Sequence, residues 1–588
     1  MMETPKLGCP RKKLAKLALW SLAVMFILIY LLPITMRPLV VPDEARYAVI
    51  PAEMIETGEW IVPHLAGIRY FEKPVLGYWL TAISFLGFGE NTFGLRFPSA
   101  FMSGVAIVAI VLFTRKWTRR WDLAALSGIV LATSLEPVIL GTTAILDAPF
   151  SACITVTIVC FYMATRSGGG SRFAWLVACG LACGAAFLIK GFLAIALPGL
   201  ILAPWLMWSG QWRWLFTLPW IPAIVAVLTA LPWSLAVHEQ APEYWHYFFW
   251  IEHINRFTAG EHAQHPEPWW FFLPIICVGL IPWVFAAPLA IMGLARRGFG
   301  SDESRLLVCW LILPLAFFSV SSGKLPTYIL PCFPPAAALM AIGLVERFGH
   351  VLPRRRFAEL IPGGVLIVLG LIAIVLMPLV PREAIHGGPW EDGGTWRLLL
   401  FGATFILWGG LDWISQRTHD GGRRVLLGGI ASAGFMAIMS SLIPTGWMVI
   451  SKSPMEWMKP YRTLAEQSQV LAGRDFVHVA NWAWPRASIR LFGEPGELRW
   501  GVENFEAHAE EHIVESEFPA LVQEASDERP LLLISTFPKS RTKWIDSLVT
   551  SGEIPAPAVE VDRDVYLAVW PATSLNAERG TVDSAVQE

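Results

Sequence analysis

Roughly 13 stretches of this chain are apolar for long enough to cross about 30 Å of hydrocarbon. Repetition on that scale restricts the fold to a polytopic helical bundle, because each spanning segment must satisfy its own backbone hydrogen bonds. The runs lie near residues 15–36, 97–114, 122–141, 146–164, 174–189, 191–208, 214–236, 269–294, 305–320, 326–345, 359–380, 398–414 and 425–445. The composition agrees: of 588 residues, 55% are hydrophobic and 16% charged, as in polytopic membrane proteins. The amino-terminal Arg11, Lys12, Lys13 and Lys16 precede an apolar run with no small-residue cleavage site before Pro33, so a retained first span is expected rather than a signal peptide.

The basic residues are sorted along the chain. Arg115, Lys116, Arg119 and Arg120, then Arg166 and Arg172, Arg213, Arg296, Arg297 and Arg305, and Arg347, Arg354, Arg355 and Arg356 fall in alternate connections. By the positive-inside rule these connections are cytoplasmic and the others lie outside. An odd number of spans then places the carboxyl-terminal region outside too. The eight cysteines lie in or before the apolar part, with no CxxC and no Cys/His cluster, so neither a disulfide framework nor a zinc knot is expected. Walker loops and nucleotide-binding glycine patterns are absent, and no nucleotide cofactor or nucleic-acid partner is expected.

Between the first two apolar runs lies PDEARYAVIPAEMIETGEWIVPHLAGIRYFEKPVLGYW, residues 42–79. Pro42 followed by Asp43 and Glu44 reads as a helix start, and Gly58 as its stop. Asp43, Arg46 and Tyr47 stand at i, i+3 and i+4 and share one face. Tyr70, Glu72 and Lys73 precede Pro74, which opens a second helix able to lie in a membrane surface. Other outer connections add Asp147 in TTAILDAP, Lys190 in LIKGF, the run HYFFWIEHINRF with Glu252, His253 and Arg256, and Lys324 with Tyr328 in SSGKLPTYILP. Charged groups at a membrane boundary are costly and are normally paired, cavity-lining or functional. Together Arg46, Lys73, Lys190, Arg256 and Lys324 form a cationic set suited to phosphate, and Tyr47, Tyr70 and Tyr328 can serve as neutral donors. Simpler readings stay open. Asp43 can be a helix-start residue with Arg46 as its partner, and Lys190 and Lys324 can be snorkelling lysines. Glu72 and His253 are either a metal pair or two hydrogen-bonding groups. From about Met455 onward the chain reads as a small α/β domain. Strands are expected at 476–480, 531–535 and 565–570, helices near 456–471 and 506–524, and a disordered tail from Ser574.

VPDEARYA, GEWIVPHLAGIRYFEKPVLGYW, the Lys190-Gly191-Phe192 turn, WHYFFWIEHINRF and GKLPTYILP closely resemble the bacterial lipid A aminoarabinose transferases. These belong to the lipid-dependent membrane glycosyltransferases of GT-C type that include protein O-mannosyltransferases. The resemblance runs over about residues 14–350. It implies a polytopic all-α enzyme of about 13 spans in the bacterial inner membrane. A transmembrane glycosyltransferase domain, 1–445, carries a catalytic first periplasmic loop, 37–96, and a periplasmic α/β domain follows at 446–588. The implied reaction moves 4-amino-4-deoxy-L-arabinose from undecaprenyl phosphate to lipid A phosphates at the periplasmic face, giving resistance to polymyxin. The family's catalytic carboxylate matches Asp43, with Asp147 taken as a second catalytic carboxylate. Arg46, Tyr47, Tyr70 and Lys73 match residues around the lipid-linked phosphate, and Glu72 with His253 match a pair that binds a divalent metal, zinc or similar. Val49 departs from relatives that often carry an acidic residue there, but it lies off the Asp43 face. The other readings are a mannosyltransferase acting on protein hydroxyls and a lipid or sugar transporter. Transporters tend to show paired repeats with matching broken spans, and none is evident.

Overall fold

A computed structural model describes residues 19–35, 39–255, 266–348, 361–375, 395–415, 454–505, 510–536, 539–562 and 565–574. The described part opens with a short apolar helix, α1 (Leu19–Thr35). The first loop follows as α2 (Asp43–Thr57), a two-stranded hairpin β1 (His64–Leu65) and β2 (Ile68–Arg69), and α3 (Leu76–Phe88). Helix α2 starts where the acidic pair meets the positive end of the macrodipole. It stops at Gly58, whose φ of 74° is the left-handed conformation that glycine adopts without strain.

The bundle continues with α4 (Thr92–Thr118), α5 (Trp121–Ala132), α6 (Leu135–Gly141), α7 (Asp147–Thr165), α8 (Gly169–Lys190) and α9 (Leu193–Trp208). Next come α10 (Trp214–Gln240), α11 (Phe272–Gly279), α12 (Trp283–Arg297), α13 (Asp302–Val320), α14 (Pro326–Arg347), α15 (Ile361–Val375) and α16 (Thr395–Ser415). Among the described residues six helices are long and apolar enough to cross a membrane, or eight if each of two bent pairs counts as one span. The protein is therefore a multi-pass membrane protein. Two of the expected spans are bent: α5 and α6 meet at 66° and α11 and α12 at 97°. The two breaks face each other, with the Leu135 N–H donating to the Ile281 carbonyl at 2.8 Å and the Trp283 indole to Thr133 Oγ1 at 2.8 Å. Backbone groups freed by the breaks thus find partners inside the protein, as a lipid environment requires. The run expected at 425–445 and the tail beyond 574 lie outside the described residues.

The carboxyl-terminal region folds on a six-stranded sheet of order β5-β4-β3-β6-β8-β7. In chain order its strands, with the helix that follows the first of them, are β3 (Gln469–Gly473), α17 (Val477–Ala483), β4 (Ser488–Phe492), β5 (His512–Ile513), β6 (Leu531–Thr536), β7 (Ala558–Asp562) and β8 (Val565–Trp570). Strands β3, β4, β5 and β6 pair in parallel, and β7 and β8 close the other edge antiparallel. The strands expected at 531–535 and 565–570 are present, but two other expectations are corrected. The strand expected at 476–480 is replaced by the helix Val477–Ala483, and the strand Gln469–Gly473 begins within the stretch expected as helix, 456–471. One buried apolar cluster joins Ala45, Ile50 and Tyr70 of the first loop to Trp233 and Tyr244 of the bundle and to Val477, Trp484 and Leu532 of the sheet domain. Loop and domain therefore share a core.

Candidate functional site

Helix α2 brings the first carboxylates to the bundle and divides them by environment. Glu44 has no exposed surface and forms a two-pronged ion pair with the equally buried Arg96 of α4, both N–H···O distances being 2.7 Å. It also accepts the N–H groups of Val40 (2.8 Å) and Ala144 (2.9 Å), while Arg96 donates to the Ile34 carbonyl (2.7 Å). A buried pair is tolerable only when its remaining hydrogen-bonding capacity is satisfied in this way. It anchors the start of α2 to α4 and to the turn before α7. Asp43, one residue earlier, keeps 59% of its side chain exposed and faces a cavity of about 530 Å³.

Asp43, Arg46 and Tyr47 from α2, Glu72 and Lys73 from the turn before α3, and Asp147 from the first turn of α7 line that cavity. Lys190 from the end of α8, Glu252 and Tyr328 complete the polar wall. The cations are already neutralised. Lys190 Nζ donates to Asp147 Oδ1 at 2.6 Å and lies 5.4 Å from the Tyr328 ring centre. Lys73 donates to Glu252, and also to its neighbour's carbonyl, Glu72 O, at 3.1 Å. Arg46 Nη2 lies 2.9 Å from Glu497 Oε2 and 3.9 Å from Asp43 Oδ1. Among the described residues, Arg46, Lys73 and Lys190 of the expected cationic set thus stand in ion pairs, and Asp43 is the most exposed of the paired carboxylates.

Burial pushes the Tyr47 and Tyr70 phenols up, so both stay neutral donors at physiological pH. Burial also raises the Glu72 carboxyl, and the adjacent Glu252 adds to it while Lys73 partly offsets it. Tyr70 is buried beside Arg46 rather than at the cavity wall. Lys324 is corrected. Its ammonium is buried and donates to the carbonyls of Ser321 (2.5 Å) and Glu267 (2.6 Å), so it fastens the loop before α14 and does not line the cavity. Arg256 and the side chain of His253 lie outside the described residues. Among the described residues no three His, Cys, Asp or Glu side chains converge as a metal site. Glu72 lines the cavity beside Glu252, which Lys73 pairs, while the other half of the expected metal pair, the His253 side chain, is among those not described.

Three participants escaped the sequence reading. Glu44 and Arg96 are 52 positions apart, and the only local hint is an arginine inside the apolar FGLRFPSA. Glu497 comes from the carboxyl-terminal domain, and nothing in its sequence points to Arg46. A second cavity of about 520 Å³ is almost wholly apolar and runs between α7, α8, α9 and α10. Phe187 lines it, one helical turn before Lys190 of the charged cavity.

Residues 16–248 match the dolichyl-phosphate-mannose-protein mannosyltransferase family. The chain is 36% identical over 517 residues to an undecaprenyl phosphate-α-4-amino-4-deoxy-L-arabinose arabinosyl transferase of Aeromonas salmonicida, covering 87% of this chain and 92% of that one. It is 34% identical over 541 residues to the protein of that name from Yersinia enterocolitica, covering 91% of this chain and 95% of that one. The fold is similar to that of ArnT from Cupriavidus metallidurans crystallised with undecaprenyl phosphate, with a TM-score of 0.80, 22% identity, and 94% of this chain and 98% of the other covered.

Proposed function

This chain belongs to the undecaprenyl phosphate-α-4-amino-4-deoxy-L-arabinose arabinosyl transferases, and from that premise we propose how its cavity transfers the sugar. It is a membrane glycosyltransferase that draws 4-amino-4-deoxy-L-arabinose from undecaprenyl phosphate. The acceptor in this proposal is a lipid A phosphate, at the periplasmic face of the bacterial inner membrane. The observation that carries the reading is a pair of cavities beside α8, where Lys190 lines a charged one and Phe187, one turn earlier, an apolar one. A polyprenyl phosphate needs both. Its chain requires an apolar, lipid-continuous groove, and its phosphate requires positioned cations.

The acceptor phosphate oxygen attacks the anomeric carbon while the bond to the undecaprenyl phosphate oxygen breaks, and the electron pair leaves on that oxygen. A phosphate nucleophile is ionised at neutral pH, so the step has no proton to remove. Lys73 and Arg46 take up the charge that grows on the leaving phosphate. Both are already oriented by a carboxylate partner, so the phosphate meets cations whose geometry is fixed in advance and less ordering is lost on binding. Asp43, open to the cavity, holds the sugar's ammonium or stabilises positive charge at the anomeric carbon, and Asp147 fixes Lys190. Glu72 stands at the same wall.

Purified protein supplied with the undecaprenyl-linked donor, and offered lipid A and a Ser/Thr-rich peptide in parallel, tests the acceptor. Mass spectrometry should show an added aminopentose on lipid A alone. Sugar on the peptide and none on lipid A would replace this acceptor with a protein hydroxyl, for which Asp43 becomes a true general base.

A further inference from the structure

Helix α17 of the carboxyl-terminal domain lies directly on the first loop, with Trp482 stacked on Phe85 at 5.9 Å between ring centres. One turn earlier, His478 is almost completely buried. Its Nε2 is 2.9 Å from Glu497 Oε1, and the other oxygen of that carboxylate is 2.9 Å from Arg46 Nη2. Arg46 in turn stands 3.9 Å from Asp43 at the cavity. The line from His478 to Asp43 is therefore unbroken and passes from one domain to the other.

We propose that His478 is a positioning residue for the transfer reaction: its Nε2–H holds the Glu497 carboxylate, which holds the Arg46 guanidinium at the cavity edge beside Asp43. Carboxylate oxygens only accept, so Nε2 carries the proton in this contact. The remaining nitrogen, Nδ1, is buried with no hydrogen-bond partner among the described residues. Leaving it so costs stability, a cost that a histidine retained for packing alone would not need to bear. Glu497 has a choice of orientations that His478 removes. An arginine whose fork is fixed in advance gives up less entropy when phosphate arrives. Burial alone raises the Glu497 carboxyl, but Arg46, the His478 bond and nearby Lys73 together outweigh it, so the carboxyl stays ionised well below neutral pH. The arrangement makes the carboxyl-terminal domain part of the catalytic assembly.

This inference rests on the lipid-phosphate reading of Arg46, and the test keeps the two apart. Glutamine places an N–H where His478 has Nε2, whereas asparagine places one where it has Nδ1 and falls short of Glu497. Both are polar and similar in size, so a general cost of replacing the histidine falls on both alike. The full-length protein is assayed for transfer at low donor concentration and for binding of undecaprenyl phosphate alone. His478→Gln should keep both within about threefold of wild type. His478→Asn should lose about tenfold or more, as expected for a charge-assisted bond. In a Glu497→Gln background the two should be indistinguishable, since His478 then has no charge to hold. Equal activity and equal lipid-phosphate affinity of the Asn and Gln proteins in the wild-type background would overturn the proposal, as would losses that simply add to that of Glu497→Gln. Wild-type protein that binds undecaprenyl phosphate but transfers no aminoarabinose would sink the donor reading alone, leaving the Asn–Gln comparison to be decided by lipid-phosphate affinity.

Discussion

What each cavity residue can offer a substrate depends on its partner as well as on its type. Lys73, Lys190 and Arg46 are each matched to a carboxylate, and Asp43 is left comparatively open. Lys73→Ala therefore has two consequences, loss of a phosphate contact and exposure of Glu252 to Glu72 without a cation between them. A charge-assisted contact contributes about 1.5–3 kcal/mol, so transfer should fall by roughly ten- to a hundredfold. The double variant Lys73→Ala/Glu252→Gln relieves the repulsion but not the lost contact. It should stay impaired in the same donor-dependent assay, and recovery to wild-type rate would reduce Lys73 to a neutraliser of Glu252. The candidate residues themselves were legible in the sequence because charge is scarce in apolar surroundings. Their pairings were not. Lys73 and Glu252 are 179 positions apart and Lys190 and Asp147 are 43 apart, and such separations carry no local signal. Lys324 shows the converse, since a lysine fastened to two carbonyls looks in sequence like one aimed at substrate.

At the scale of elements, α2 was legible almost to the residue because its start and stop are local chemistry: a proline, two acidic residues and a glycine. The sheet domain was less so. Strands in a parallel sheet are covered on both faces and read as plain apolar runs, which a short helix such as VHVANWA imitates with its two valines. Tertiary pairing of β3 with β4 and β6 overrides the local pattern of 469–473. Helix α2 is also fastened to its hairpin by Glu53, whose carboxylate accepts the Ala66 N–H at 2.7 Å and the Gly67 N–H at 3.4 Å. Burial raises the Glu53 carboxyl to about 7, against the lowering effect of those two donors. Between the unfolded value of 4.5 and the folded value of about 7 the closed hairpin keeps a proton that the open chain has lost. The slope of stability with pH is therefore negative in that window. The contribution is complete below pH 4.5, is lost as pH rises to about 7, and is flat above. Hydrogen exchange of the hairpin amides, corrected for the intrinsic pH dependence of exchange, should show weaker protection at pH 8 than at pH 5. Glu53→Gln should flatten the difference, and a wild-type hairpin better protected at pH 8 would contradict this assignment.

For the whole molecule the remaining question is which side of the membrane the cavity faces. Helix α7 answers it in relative terms. Asp147 stands at its first turn in the cavity wall, and 19 residues later, about 28 Å at 1.5 Å per residue, it ends beside Arg166. There Arg166 bonds Asp302 and Glu303 at 3.1 Å, Tyr162 donates to Glu303 at 2.9 Å, and Gln211 donates to Asp302 at 2.8 Å. Those contacts tie together the connections after α7, α9 and α12, which carry the basic residues Arg166, Arg172, Arg213, Arg296, Arg297 and Arg305. Cavity and basic connections thus occupy opposite ends of the bundle. Because loops rich in Lys and Arg are retained in the cytoplasm, the cavity end is proposed to be periplasmic. The sheet domain goes with it, since it shares a core with the first loop and supplies Glu497. A fusion of alkaline phosphatase, which folds only in an oxidising compartment, to the carboxyl terminus should be active, and a cytoplasmic fluorescent reporter at the same point should be dark. The opposite result would place Asp43 on the cytoplasmic side. It would detach the proposed acceptor from this cavity while leaving the ion-pair geometry around Asp43 unchanged.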